Sequence, residues 1–151
     1  MERVAECEFC DIVRRDEDAR EVLRTDTVVA FFPTEPATLG HTLVIPREHI
    51  PDIWSLDAAT AHQLTEATLL VARAVRSALP IDGLNIIQSN GEAATQTVFH
   101  LHVHVVPRRL DDGMGRIWPL VTDWSETDKR EAQSKIWAEL WAARMSEAGR
   151  E

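Results

Sequence analysis

Long apolar runs are missing from this chain; nowhere do the roughly 18–20 consecutive apolar residues of a membrane span occur. The opening segment Met1-Glu2-Arg3-Val4-Ala5-Glu6-Cys7 lacks the apolar centre of a signal peptide, so a soluble cytoplasmic protein is the expectation. Positive charge is also short, with 16 Lys and Arg against 25 Asp and Glu and a net charge of −9. That balance argues against a nucleic-acid coat or an anionic-membrane binder, while leaving open a small anion held at a local site. Cysteine is scarcer still: Cys7 and Cys10 are the only two in 151 residues. One local pair staples almost nothing in a chain of this length, which excludes a disulfide scaffold. The Cys-x-x-Cys spacing leaves a redox dithiol, half of a zinc site needing two more ligands, or two ordinary thiols. Repeats, low-complexity stretches and linkers rich in Pro, Gly or Ser are absent too. The length suits one domain with an appended helix.

What is present reads as strands around one long helix. Residues 1–26 are rich in acids (Glu6, Glu8, Asp11, Asp16, Glu17, Asp18, Glu21, Asp26) and are expected to form a solvated edge. Val22–Arg24 and Val28–Phe32 read as two strands, and Pro33 and Pro36 then force a turn. Gly40 precedes a β-branched strand, His41–Ile45, stopped by Pro46. Asp57 caps a helix running to about Leu79, whose Leu64, Ala67, Val71, Ala74, Val75 and Ala78 recur at three and four. A further strand covers Leu84–Gln88, and residues 98–106 read as a strand ended by Pro107. Ser125, with Asp128 three residues on, opens a last helix at about 126–147 with Ile136, Trp137, Leu140 and Trp141 on one face. The fold class is α+β, with a mostly antiparallel sheet of about five strands, one long helix and a C-terminal helix.

The most informative stretch is His100-Leu101-His102-Val103-His104-Val105-Val106. Extended backbone sends alternate side chains to one face, so the three imidazoles project together, neighbours about 6.6 Å apart, with Leu101, Val103 and Val105 behind them. A polar sheet face, a mononuclear metal site and a nucleophilic imidazole steadied by its neighbours all fit that pattern.

The pattern resembles the His-φ-His-φ-His-φ-φ motif of the histidine triad (HIT) family of nucleotide hydrolases and transferases. Gly40-His41-Thr42-Leu43-Val44-Ile45-Pro46 is similar to the family's Gly-His-x-Leu-Val-x-Pro segment. Residues 90–99 resemble the loop leading into the triad, and Phe9-Cys10-Asp11-Ile12 resembles the opening of many bacterial members. The resemblance covers roughly residues 7–120. It implies a HIT-like domain over 1–120, with 121–151 as a helical extension packed on it.

The resemblance further implies that His102 attacks the α-phosphorus of a nucleoside phosphoramidate or dinucleoside polyphosphate. A covalent nucleotidyl-histidine forms, and water releases the nucleoside monophosphate. His104 donates to the phosphate, and His41 belongs to the segment that holds the other nitrogen of His102. Ser89, Asn90, Thr95, Gln96 and Thr97 form the substrate loop, with Gln96 and Thr97 on phosphate oxygens and the leaving atom. The bacterial Hint-like type with Cys-x-x-Cys implies a structural zinc on Cys7, Cys10, His49 and His100, and no organic cofactor. A purine nucleotide substrate and a homodimer through the long helix and its neighbouring strand complete the expectation, with no nucleic-acid or membrane partner. Pro33 stands where many relatives carry a ribose-binding Asp or Asn, Ser89 where they carry Asn or Gln, and Thr95 where they carry Gly. Those departures keep a nucleotide-binding module with little turnover as one alternative. A metal-dependent hydrolase using the triad as ligands is the other.

Overall fold

The computed structural model describes residues 7–15 and 19–149. Two compact units divide the chain, Met1–Gly115 and Arg116–Glu151. The first contains α1 (Glu8–Arg14), β1 (Arg20–Arg24), β2 (Val28–Phe32), β3 (Thr42–Pro46), α2 (Ala58–Ala78), β4 (Gly83–Gln88) and β5 (Val103–Arg108). The strands form one antiparallel sheet in the order β1-β2-β3-β5-β4, the α+β architecture expected.

Strand periodicity divides the core into two layers. Val28, Ala30, Val44, Leu101 and Val105 face α2, which supplies Leu64, Ala67, Val71 and Val75 at spacings of three and four. Val29, Phe31, Leu43 and Ile45 face the other way, onto Cys7, Phe9 and Cys10 of the α1 segment. Asp57 starts α2 as expected, its carboxylate accepting the Thr60 N–H at 2.9 Å.

Two local expectations are corrected. The acidic N-terminal segment is not only a solvated edge: residues 8–14 form a helix that buries Phe9 and Cys10. Glu6, Asp16, Glu17 and Asp18 of that segment lie outside the described residues. The strand read over 98–106 begins only at Val103 and runs through Pro107 to Arg108. Pro107 is tolerated because β3 pairs with β5 only as far as Thr42 opposite Val105, so no ladder bond toward β3 is lost. The chain bends at His100, residues 100–102 are unpaired in the sheet, and the Leu101 N–H bonds the Ile50 carbonyl at 2.6 Å instead. The two-face alternation survives nonetheless: Leu101 and Val105 pack in the α2 layer, Phe9 meets the rings of His100 and His102, and His104 meets His102. At the strand's end, Arg108 donates to Asp112, to Asn85 and to the Gly115 carbonyl.

Gly40 sets the entry to β3 and the position of His41. Its φ is +92°, and a Cβ there would sit 2.4 Å from Leu79 Cδ1 and 3.2 Å from Pro107 Cγ. Gly40→Ala should lower unfolding free energy by about 2–4 kcal/mol, combining left-handed strain with overpacking. Urea denaturation at fixed slope is the check; an unchanged midpoint would contradict it.

In the second unit, α3 (Glu126–Ala148) starts at Ser125, whose Oγ accepts the Asp128 N–H at 3.1 Å. Trp137 and Trp141, one turn apart, stack at 5.8 Å between ring centroids. No helix among the described residues is long and apolar enough to cross a membrane.

Candidate active site and metal cluster

On the α1 side of the sheet, His41, His102 and His104 line a cavity of about 810 Å³. Its apolar wall includes Phe9, Ile12, Phe31, Leu43 and Val98, and Glu8, Arg20, Thr34 and Glu35 supply polar groups. The rings of His102 and His104 are 4.9 Å apart, and those of His41 and His104 are 5.2 Å apart.

Hydrogen bonds to backbone groups of fixed polarity order the protons on these rings. The Ala37 N–H donates to Nδ1 of His41 at 3.0 Å, so in the neutral ring Nε2 of His41 carries the hydrogen. That Nε2–H donates to Nδ1 of His104 at 2.9 Å, leaving an Nε2–H on His104. His102 is ordered oppositely. Its Nδ1–H donates to the His100 carbonyl at 2.7 Å, leaving the lone pair on Nε2. The acceptor steadying His102 is therefore the His100 carbonyl, not a group from the His41 segment as expected. His41 instead steadies His104.

Burial lowers the pKa of all three rings. His104 falls furthest, from 6.5 to about 4, with the neighbouring His102 and His41 adding to desolvation. A histidine lowered on folding binds fewer protons than its unfolded counterpart between those values. Its contribution is thus intact above pH 6.5 and is lost as pH falls toward about 4. An NMR titration should place His104 near the lower value; a midpoint at the ordinary one would refute the buried, neutral ring.

Of the five loop residues expected at substrate, Thr97 lines the cavity and the other four do not. Gln96 is buried, its Oε1 accepting the Gly91 N–H and its Nε2 donating to the carbonyls of Pro51 and Val98. Asn90 Oδ1 accepts the Ile53 N–H, and its amide pairs with Gln88. The Ser89 carbonyl accepts from Gln88 Nε2. Thr95 takes a left-handed φ of 67°, the conformation for which glycine is favoured, and closes a short 3-10 helix over Glu92–Ala94. These residues brace the loop that presents Thr97. Sequence reasoning missed Phe9 and Glu8 in the cavity wall, although a residue flanked by two proposed ligands must lie close to the ion.

Cys7, Cys10, His49 and His100 bring one ligand atom each within 4.8 Å of one another. A tetrahedral ion with bonds of about 2.3 Å to sulfur and 2.0–2.1 Å to nitrogen has S···N edges of about 3.6 Å. Nδ1 of His100 lies 3.6 Å from both sulfurs, and Nδ1 of His49 lies 3.3 Å from Cys10 Sγ. The fully buried His100 donates Nε2–H to the Pro46 carbonyl at 2.8 Å, which bares Nδ1 toward the sulfurs. Burial, reinforced by Cys7, pushes the Cys10 thiol up to about 11, a cost that a divalent cation reverses by binding thiolate. Donor set, edges and orienting bond all fit a four-coordinate metal ion.

Residues 14–111 match the family model described as the HIT domain. Protein hit of Bacillus subtilis (strain 168) is 37% identical over 132 residues, 86% of this chain and 91% of that protein. Adenosine 5'-monophosphoramidase hnt1 of Schizosaccharomyces pombe is 34% identical over 118 residues, 75% of this chain and 83% of that protein. Among solved structures, a Zn-bound histidine triad family protein from Mycobacterium smegmatis is 34% identical with a TM-score of 0.68, covering 91% of this chain and 97% of that one. With its three alternating histidines gathered on one side of the sheet and this breadth of likeness, the chain belongs to the histidine triad (HIT) family.

Proposed function

We infer that the protein is a nucleotide hydrolase that cleaves nucleoside phosphoramidates or dinucleoside polyphosphates at the α-phosphorus through His102. The observation that carries this reading is the opposite proton order of two adjacent rings, a bare Nε2 on His102 beside an Nε2–H on His104. Likeness to a protein named for phosphoramidase activity supports the substrate class.

In the first half-reaction Nε2 of His102 bonds to phosphorus, and the bond to the leaving nitrogen or oxygen breaks. His104 Nε2–H and the Thr97 hydroxyl donate to the phosphoryl oxygens and the departing atom as charge develops there. In the second half-reaction water attacks phosphorus and the bond to His102 breaks. The nucleoside monophosphate leaves and the neutral ring is restored. The apolar wall at Ile12, Phe31 and Leu43 suits the faces of a purine, and Thr34 and Glu35 supply polar atoms beside Pro33. Zinc at Cys7, Cys10, His49 and His100 supplies structural cross-linking when bound, with all four positions filled by protein. His100 thereby belongs to the metal cluster and not to the reacting pair.

A homodimer is part of the same reading. β4 is a sheet edge, Ile86 on it is half exposed, and Leu69 and Leu70 of α2 are similarly exposed. Sedimentation should give twice the chain mass.

Incubation with an adenosine phosphoramidate should release AMP, and acid-quenched protein should show a mass increase of one adenylyl group. Tight binding of the same compound with neither AMP nor adduct would favour the nucleotide-binding alternative.

A further inference from the structure

Phe9 stands between the metal cluster and the reacting rings. It is 7% exposed, and its ring meets that of His102 edge-to-face at 5.2 Å and 88°. The same ring meets His100 at 6.0 Å and Phe31 at 5.5 Å. Besides the His104 ring, two contacts restrain the His102 imidazole: Phe9 against the ring, and the His100 carbonyl on Nδ1–H at 2.7 Å. Both trace back to the metal cluster. Phe9 lies in the short span between Cys7 and Cys10, and the carbonyl belongs to His100 itself.

The carrier of Phe9 has little stability of its own. α1 has only seven residues, and its N-cap, Cys7, makes no side-chain capping bond. A helix of two turns is marginal in isolation, so tertiary tethers must hold it. The tethers available are the apolar layer beneath it and the two sulfurs that face His49 and His100. An ion at those four ligands would fix both ends of the span that carries Phe9.

We propose that Phe9 is a positioning residue that holds the His102 imidazole in its attacking orientation, and that metal bound by Cys7, Cys10, His49 and His100 sets that hold. Metal occupancy then governs the nucleophile from outside the cavity, through one aromatic edge and one carbonyl. The kinetic half of this idea rests on His102 being the nucleophile, as read above; the structural half does not.

The test follows the imidazole signals of the ¹⁵N-histidine-labelled protein, with His102 assigned by its disappearance in His102→Gln. Zinc-loaded protein should show one sharp His102 pattern of the Nδ1–H form. Stripping the metal with a chelator should shift or broaden it. Phe9→Leu, confirmed by elemental analysis to hold one zinc per chain, should change the His102 signal while loaded. It should also lower kcat about tenfold with KM moving less than threefold, and Phe9→Tyr, which keeps the ring, should restore kcat to within about threefold.

An unchanged His102 signal in metal-free protein whose circular dichroism remains native would overturn the metal dependence. Should metal removal unfold the chain, loaded Phe9→Leu decides: wild-type signals and kcat there would overturn the clamp. If no nucleotide is turned over by the wild type, the proposed hydrolase fails while the His102 signal still judges the positioning.

Discussion

His102→Ala should reduce AMP release from an adenosine phosphoramidate by at least about 10⁴-fold, since removing an attacking group has effects of that order. Among the three cavity rings, only His102 combines a bare Nε2 with an Nδ1–H anchored on a carbonyl. His41 and His104 present their Nε2 as donors in the same ordering, so neither takes over the attack. The mass increase on acid quench should vanish in the same variant, while circular dichroism and zinc content stay at wild-type values. His104→Ala is expected to lose less, about 10²–10³-fold, because it removes a donor to the phosphoryl group and leaves the attacking atom. Equal and modest losses in both variants would instead suit a hydrolase with an ion at the triad. That alternative is disfavoured by the direction of His100, whose Nδ1 faces Cys7 and Cys10.

Cys10→Ser should abolish stoichiometric zinc binding and lower the melting temperature by about 10 °C. An ion present at about a thousand times its dissociation constant stabilises the folded chain by about 4 kcal/mol. In a domain of this size each kcal/mol moves the midpoint by about 2–4 °C. Loss of the thiolate removes the ligand that lies near both histidine donors, 3.3 Å from His49 and 3.6 Å from His100. Chelator added to wild type should produce a similar drop and should do nothing further to the variant. Because thiols must lose protons to bind, the wild-type drop should shrink as pH falls. A wild type whose melting is indifferent to chelator, with no metal found by elemental analysis, would defeat the structural-metal reading.

Much of the site could be read before any coordinates. Alternation from His100 to His104 predicts a shared face because side-chain direction follows extended backbone alone, whether or not that backbone is paired. Where pairing begins is a different question: β4 ends at Gln88 opposite Val103, while β3 runs on past Val44 to Pro46 without a partner in β5. No property of residues 98–102 carries that information. Helix starts at Asp57 and Ser125 were legible because capping is local chemistry. α1 was hidden because its buried set, Cys7, Phe9 and Cys10, spans one turn and is interleaved with Glu8 and Asp11. Asn90 and Gln96 show the remaining limit. A polar loop residue looks the same in sequence whether its amide serves a ligand or the backbone beside it, and here the amides serve the loop.

The Ala37 N–H has a wider implication. A backbone amide neither titrates nor rotates its proton away, so it acts as a fixed terminus for the row His41–His104. Reversing that row would leave an amide hydrogen facing another hydrogen, and the polarity of the pair is thereby hard-wired by the main chain. The requirement at position 37 is met by every residue except proline. A comparison of side chains would score that site as free to vary, yet it determines which of two neighbouring rings is the giver and which the taker.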